Sequence, residues 1–218
     1  MISEKDKKIL EKRLQEMTDN VKMIMYTGEN CELCGPIEEL LKTLAELSKG
    51  KISLEIKQME NKEEVKEKLG VERPPIILLG EKGEVRYTGA PLGHEGWALL
   101  ETIVALSTKK VQIPEEYVEK LKNLKKTVRI ETIITPTCPY CPYAVLIANR
   151  IAVASEGKVI SDVVEAHEFP EIAEKFNVMA VPTVVLSTKP YQGEVFSVGV
   201  PKEKALLEKI IEIGTSNV

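Results

Sequence analysis

Four cysteines carry the chemistry that this sequence offers, and they form two pairs with the same spacing. The pairs are Cys31-Glu-Leu-Cys34 and Cys138-Pro-Tyr-Cys141. Each pair follows a mostly apolar segment and opens one with helical periodicity, so the first cysteine is expected at a helix N-terminus. Backbone N–H groups without partners and the helix dipole favour the thiolate there. The second cysteine, one turn later, can resolve a mixed disulfide. The spacing predicts two redox-active dithiol sites.

The chain is an internal duplication, because further features recur about half a chain length apart. Pro75 follows Cys34 at the same distance at which Pro182 follows Cys141. Two more matches come in the same order, Gly83-Glu84-Val85 with Gly193-Glu194-Val195 and Gly89-Ala90-Pro91 with Gly199-Val200-Pro201. We therefore expect two units, residues 1–110 and 111–218. The short connection Thr108–Pro114 predicts that they pack against each other.

Each half has the same predicted order of elements. A charged helix comes first, then a strand, the CxxC helix, a strand, a short helix, a hairpin and a closing helix. Strands are predicted at Val21–Tyr26, Ile52–Lys57, Ile76–Leu79 and Glu84–Tyr87, and again at Val128–Ile134, Val159–Glu165, Thr183–Leu186 and Val195–Ser197. Strands that alternate with helices indicate an α/β fold, here two tandem units, each a mixed central sheet flanked by helices.

Composition narrows the class of protein. The net charge of −4 argues against a nucleic-acid partner, and no apolar run approaches the roughly 20 residues of a membrane span. The N-terminus has no apolar h-region, so we expect a cytoplasmic protein. Lys and Glu dominate the charged residues, with 31 Glu among 34 acids, which is typical of hyperthermophiles. Intracellular disulfides are common in those organisms.

The ordered series of motifs resembles the thioredoxin superfamily. It comprises a CxxC at a strand–helix junction, Val181-Pro182-Thr183 downstream, a hairpin and a final helix. Cys138-Pro-Tyr-Cys141 is similar to the glutaredoxin motif. Two such units, each with its own CxxC, resemble the protein disulfide oxidoreductases of hyperthermophiles over nearly the whole chain. The resemblance implies cis peptide bonds before Pro75 and Pro182. It also implies that Cys31 and Cys138 attack and that Cys34 and Cys141 resolve.

The resemblance also implies how substrate binds. In the superfamily the residue before the cis-proline pairs with the substrate backbone, which Val181 can do with both N–H and C=O. Its counterpart Pro74 has no N–H to donate. Tyr140, inside the second motif, must lie near the thiols and any bound peptide. The implied substrate-binding residues are therefore Pro75, Val181, Pro182 and Tyr140, and the second site is expected to be the more active.

Two features of the superfamily are missing. Thioredoxins carry a buried Asp six residues before the first cysteine, where this chain has Met25 and Thr132. Glu55 and Asp162 occupy matching strand positions and are alternative proton acceptors, although an exposed face is the stronger expectation for either. The Gly-Gly-x-Asp with which glutaredoxins bind glutathione is also absent. Glutathione is therefore a poor candidate for the dedicated substrate.

Other interpretations of the same residues are weaker. Paired CxxC motifs that bind zinc are usually about 15–20 residues apart, far closer than these two pairs. His94 and His167 are isolated and are expected at a helix start or on the surface. Trp97 is expected to pack in the core. No metal and no cofactor other than the redox-active disulfides is predicted.

The leading function is a dithiol–disulfide oxidoreductase that reduces, forms or isomerises protein disulfides. Its expected partners are protein and peptide disulfides or dithiols and a flavoprotein similar to thioredoxin reductase. One alternative is an electron carrier between a flavin reductase and a peroxidase. Another is a redox-inactive binding or chaperone-like module, although inactive thioredoxin-like domains usually lose one or both cysteines.

Overall fold

A computed structural model describes residues 3–60 and 62–216, except for the side chains of residues 62 and 64. Residues 1, 2, 61, 217 and 218 lie outside the description. The first half contains α1 (Glu4–Leu14), β1 (Val21–Thr27), α2 (Cys34–Leu47), β2 (Ile52–Gln58), α3 (Lys62–Leu69), β3 (Ile76–Leu79), β4 (Val85–Thr88) and α4 (Glu95–Thr108). The second half repeats this order with α5 (Glu115–Lys122), β5 (Val128–Ile134), α6 (Cys141–Ala154), β6 (Val159–Glu165), α7 (Pro170–Lys175), β7 (Thr183–Ser187), β8 (Glu194–Val198) and α8 (Glu203–Thr215).

The strands of both halves form one eight-stranded mixed sheet in the order β2-β1-β3-β4-β6-β5-β7-β8. Within each half a parallel pair is followed by an antiparallel hairpin. The halves join where β4 pairs in parallel with β6, from Val85 opposite Ser161 to Thr88 opposite Val164. The predicted α/β class and its repeated order are confirmed, and the continuous sheet is an addition that the motifs did not indicate.

The sheet places both cysteine pairs along one edge. Strand β4 runs in the same direction as β1, because β3 between them is antiparallel to both. Strands β6 and β5 then follow β4 in parallel, so β1 and β5 also run in the same direction. The carboxyl ends of parallel strands meet at the same edge of a sheet, and each CxxC follows such an end. Four strand spacings separate β1 from β5, which corresponds to about 19 Å.

The two faces of the sheet carry different cores. The larger core contains the inward residues of α2, α4, α6 and α8, such as Ile37, Ile103 and Val145. The smaller core lies beneath α3 and α7 and includes Leu69 and Phe169. Burial of these apolar side chains provides the main stabilisation of the fold, at roughly 1.5–3 kcal/mol for each large one.

A polar cluster is buried in the middle of the sheet. Arg86 and Asp162 alternate with Tyr87 and Val163 of the larger core, so they project towards the opposite face. The Asp162 carboxylate accepts hydrogen bonds from Thr88 (2.8 Å) and Tyr191 (2.7 Å) and forms ion pairs with Arg86 (3.3 Å) and Arg129 (3.4 Å). Because its members come from both halves, this cluster ties the halves together.

Each predicted strand agrees with the structure to within one residue at either end. Each CxxC helix begins at the second cysteine, so the first cysteine precedes the helix. Across the described ranges, no helix combines the length and the apolar character that crossing a membrane requires.

Candidate active sites

Both cysteine pairs are disulfides in the structure. Cys31 bonds Cys34 with their Cα atoms 5.4 Å apart, and Cys138 bonds Cys141 with 5.5 Å between theirs. The residue before each helix, Leu33 or Tyr140, makes no side-chain capping hydrogen bond. The first-turn N–H groups therefore remain available to the sulfur of the preceding cysteine.

The two sites use that N–H group differently. The backbone N–H of Cys141 donates to Sγ of Cys138 at 3.1 Å. At the first site the N–H of Cys34 instead donates to the carbonyl oxygen of Cys31 at 3.3 Å. A hydrogen bond to sulfur stabilises the negative charge that forms when the disulfide opens. The N–H of Cys141 is therefore placed to stabilise a thiolate at Cys138, whereas the N–H of Cys34 donates to a carbonyl oxygen.

In each pair the first cysteine is more exposed than the second. Cys31 is partly exposed and Cys34 is 4% exposed, while Cys138 is 8% and Cys141 is 0% exposed. Cys138 is nevertheless buried, and the carbonyl oxygen of Val181 lies 3.8 Å from its sulfur.

Both expected cis-prolines are present, in the bonds Pro74-Pro75 and Val181-Pro182. Pro75 and Pro182 are buried, and Val181 is partly exposed beside Cys138. Each proline carbonyl accepts a hydrogen bond from the glycine that follows the hairpin, Gly89 (3.0 Å) at the first site and Gly199 (2.7 Å) at the second. The end of each hairpin thus holds its cis-proline loop in place.

The first site is braced by the second half of the chain. Arg73, two residues before Pro75, forms an ion pair with Glu171 at 2.8 Å and lies over the Phe169 ring at 4.5 Å. Its guanidinium also donates to the carbonyl oxygen of Glu168 at 2.5 Å. These contacts fix the first cis-proline loop against the start of α7.

The second site is braced in turn by the first half. The N–H of His94 donates to the carbonyl oxygen of Pro136, which lies two residues before Cys138, at 3.3 Å. Gly93 has a φ of +61°, and a Cβ there would collide with the same carbonyl oxygen. This close approach of two backbones requires glycine. The N-terminus of α4 therefore lies against the second active-site loop.

Trp97 belongs to this contact and not to the core. Its ring meets the ring of Tyr143 edge-on, with the centroids 5.9 Å apart, and its side chain is 47% exposed. The prediction that Trp97 packs in the core is wrong. The periodicity of α4 indicates its inward face but does not show that a neighbouring loop from the other half lies beside its first turn.

Glu95 is the residue that sequence analysis missed. It begins α4 at the contact with Pro136, and its side chain is fully buried. Neither carboxylate oxygen has a hydrogen-bond partner among the residues that the structure describes. Burial raises the pKa of Glu95 to about 7 from an ordinary value of 4.5. A glutamate in a first helical turn is common, because it offsets the helix dipole. The position of Glu95 in the sequence therefore did not indicate that its side chain is buried.

The two acceptors considered from the sequence do not serve the cysteines. Asp162 is buried, but it is bound to two arginines on the face of the sheet away from α6. Glu55 is exposed on the edge strand β2, where it pairs with Lys57. Thr132 replaces the thioredoxin aspartate and is buried, and a threonine hydroxyl does not accept a proton at neutral pH. Glu95, by contrast, is a buried carboxylate at the contact with the second active-site loop.

The remaining candidate residues lie near the surface. Tyr140 is 67% exposed beside the second disulfide. His94 precedes α4 and is exposed, and His167 is exposed with Nδ1 3.4 Å from Glu165. In residues 3–60 and 62–216, no group of three or more His, Cys, Asp and Glu side chains is arranged to hold a metal ion.

Comparisons with known proteins agree with this fold. The thioredoxin domain family model matches residues 128–212. A protein disulfide oxidoreductase from Aeropyrum pernix K1 is 34% identical, with a TM-score of 0.87 over 100% of this chain and 97% of that one. The NTD_N/C domain of the alkylhydroperoxide reductase AhpF from Enterococcus faecalis shares the fold, with a TM-score of 0.80 over 96% of this chain and all of that one, at 21% identity.

A curated relative is similar over most of this chain. The F component of the alkyl hydroperoxide reductase from Staphylococcus aureus is 29% identical over 204 residues, which is 94% of this chain. The chain spans only 36% of the length of that protein. The match therefore concerns one part of a longer relative.

Proposed function

The chain belongs to the protein disulfide oxidoreductases, and we propose that it exchanges electron pairs with protein disulfides mainly at the Cys138–Cys141 site. The observation that carries this proposal is the hydrogen bond from the N–H of Cys141 to Sγ of Cys138, next to the carbonyl oxygen of Val181. The N–H of Cys141 stabilises the attacking sulfur of Cys138. The carbonyl oxygen of Val181 is placed to accept a hydrogen bond from an N–H of the substrate backbone.

The reduction of a substrate proceeds in two exchanges. The Cys138 thiolate attacks one sulfur of the substrate disulfide, so that a mixed disulfide forms and the other substrate sulfur leaves as a thiolate. Cys141 then loses its proton and attacks Sγ of Cys138, which closes the internal disulfide and releases the second substrate thiolate. Two electrons pass to the substrate, and its two thiolates take up two protons, one that balances the proton lost by Cys141 and one from solvent. A dithiol or a flavoprotein must then reduce the protein again.

We propose that Glu95 accepts the proton of Cys141, because α4 begins at Glu95 and its N-terminus contacts the loop before Cys138. The Cys141 side chain is fully buried, so bulk water has no direct access to its thiol. Glu95 is also buried, and its unpartnered carboxylate has a pKa of about 7. A base with this pKa accepts and returns a proton near neutral pH at little cost. The proposal gives α4 of the first half a role at the second site.

The substrate backbone pairs with Val181 in this proposal, while Pro182 shapes the loop and Tyr140 covers the bound peptide. The corresponding residue at the first site, Pro74, offers a carbonyl but no N–H. Losing one hydrogen bond weakens binding by about 0.5–1.5 kcal/mol, which is roughly threefold to tenfold. Pro75 is assigned the matching role at that weaker site.

The test compares two double variants in insulin reduction with dithiothreitol. Cys31→Ser/Cys34→Ser should keep most of the activity, and Cys138→Ser/Cys141→Ser should lose most of it. Circular dichroism and urea unfolding check that both variants fold. If the variant without the second pair stays active, the first site is the working one. If the wild-type chain does not reduce insulin at all, the redox-inactive binding or chaperone-like module is the better interpretation.

A second candidate is an electron carrier between a flavin reductase and a peroxidase. The similarity to the Staphylococcus aureus alkyl hydroperoxide reductase component over 94% of this chain favours it. A flavoprotein similar to thioredoxin reductase is the expected electron donor in either case. Stopped-flow mixing of the reduced chain with a disulfide-form peroxidase and with native insulin discriminates the two candidate functions. An electron carrier should reduce the peroxidase much faster than it reduces insulin.

The proposal also includes the division into domains, the location of the protein and its substrates. We take residues 1–110 and 111–218 as the two thioredoxin-like units, which is supported by the repeated element order. A cytoplasmic location and a hyperthermophilic source remain predictions from composition. Protein and peptide disulfides or dithiols remain the predicted substrates, and the disulfides themselves are the only redox groups that the mechanism needs.

A further inference from the structure

The two edge strands of the sheet have opposite surface character. On β2 the exposed residues are Ser53, Glu55 and Gln58, and Glu55 pairs with Lys57 at 3.3 Å. Polar and charged groups of this kind prevent an edge from pairing with another chain. On β8 only Glu194 is charged, while Val195 is 43% and Val198 is 64% exposed. A bulge at Phe196 interrupts the pairing of this edge with β7, but Val195–Val198 lacks charged side chains of the kind that protect β2.

The unprotected edge leads to the second active site. Val198 lies opposite Thr183, and the next residue, Gly199, donates its N–H to the carbonyl oxygen of Pro182. Val200 follows at 42% exposure, and Met179 is 95% exposed just before the cis-proline loop. The exposed apolar residues thus extend from the edge of the sheet to the loop beside Cys138.

A cavity of about 390 Å³ adjoins β8 on the side of α8. Its lining includes Leu186, Phe196 and Ile213, with Lys209 among its polar residues. Alternate side chains of an added strand point to opposite faces of the sheet, so every second one would lie near this cavity. The strand edge supplies backbone hydrogen bonds, and the cavity supplies space for side chains.

We propose that the β8 edge binds an extended, uncharged segment of the polypeptide substrate as a ninth strand while its disulfide reacts at Cys138. The proposal rests on the proposed function for the reacting site and adds a second contact for the substrate. An unfolded polypeptide fits better than a second copy of the chain, because the apolar residues continue into the reactive loop. A second copy placed there would cover that loop.

The kinetic test uses Val195→Lys, with Ser53→Lys on the opposite edge strand as the matched control. Val195→Lys should lower kcat/KM for insulin about threefold to tenfold, because it places a charge on the docking edge. The rate with a small aromatic disulfide, which is too short to reach β8, should stay within twofold for this variant. Ser53→Lys should change neither rate. Equal losses on both substrates for Val195→Lys would overturn the proposal.

A binding test separates this inference from the redox activity. Carboxamidomethylated insulin B chain cannot react with thiols, and it should slow hydrogen exchange of the β8 amides in the full-length chain. Val195→Lys should abolish that protection. Protection in the wild type together with no insulin reduction would leave the docking edge valid and the proposed function wrong. Unchanged β8 exchange, or a dimer that Val195→Lys converts to a monomer, would refute substrate docking at this edge.

Discussion

The rings of Trp97 and Tyr143 meet edge-on across the boundary between the two halves, with their centroids 5.9 Å apart. Trp97 belongs to α4, and Tyr143 lies two residues after Cys141. The only tryptophan of the chain therefore contacts the first turn of the helix that Cys141 begins. Edge-to-face contacts of this kind stabilise by about 0.5–1.5 kcal/mol beyond burial.

Tryptophan fluorescence should therefore report the redox state of the second site alone. Reduction of Cys138–Cys141 should increase the emission, because a disulfide quenches a nearby indole. The change should persist in Cys31→Ser/Cys34→Ser and disappear in Cys138→Ser/Cys141→Ser. Emission titrated against a dithiothreitol redox buffer gives the midpoint. A signal that depends on the first pair would contradict the placement of Trp97.

Glu95→Gln should stabilise the protein, and more so at high pH. The folded chain holds the Glu95 proton up to a pH of about 7, whereas the unfolded chain releases it near 4.5. The folded state thus binds more protons between these values, so the wild type loses stability as the pH rises through them. The loss is complete above pH 7 and amounts to about 3 kcal/mol. Urea unfolding of the oxidised protein at pH 5 and pH 8 measures it.

The matched control is Glu39→Gln, which changes an exposed glutamate of α2. It should leave the difference between pH 5 and pH 8 as in the wild type. Glu95→Gln should also slow the resolution of the mixed disulfide at Cys138 about tenfold or more at pH 7. A variant that resolves at the wild-type rate would exclude Glu95 as the proton acceptor.

Alkylation should distinguish the four cysteines of the reduced protein. Cys31 and Cys138 should react before Cys34 and Cys141, which are 4% and 0% exposed. At pH 5.5 Cys138 should react before Cys31, because the N–H of Cys141 stabilises its thiolate. At pH 8.5 the more accessible Cys31 should be alkylated as fast as Cys138. Peptide mapping after brief iodoacetamide treatment measures the order, and early labelling of Cys141 would reverse the assigned roles.

Asp162→Asn should destabilise the chain by about 3–5 kcal/mol. The substitution leaves Arg86 and Arg129 buried without their shared carboxylate. Because Arg86 lies in the first half and Asp162 in the second, both halves should still unfold in one transition, at lower urea. Asp19→Asn, at an exposed aspartate, is the control and should change stability by less than about 0.5 kcal/mol.

The sequence was sufficient to predict the features that depend on local order. The cysteine pairs and the element order follow from spacing and periodicity along the chain, and the cis-proline positions follow from the family resemblance. Glu95 and Trp97 could not be placed in this way, because their neighbours come from the other half. The expectation of an exposed face was wrong for Asp162, which is fully buried, because period-two alternation alone does not show that both faces of a central strand are covered.

The parallel pairing of β4 with β6 also determines whether the two cysteine pairs can exchange electrons with each other. It sets β1 and β5 about 19 Å apart in a single sheet, whereas thiol–disulfide exchange needs two sulfurs in contact. Neither pair can therefore hand electrons to the other within one molecule. A molecule with one dithiol and one disulfide therefore does not rearrange internally. It keeps an oxidant and a reductant on one chain until it meets another molecule with which one of the pairs can react.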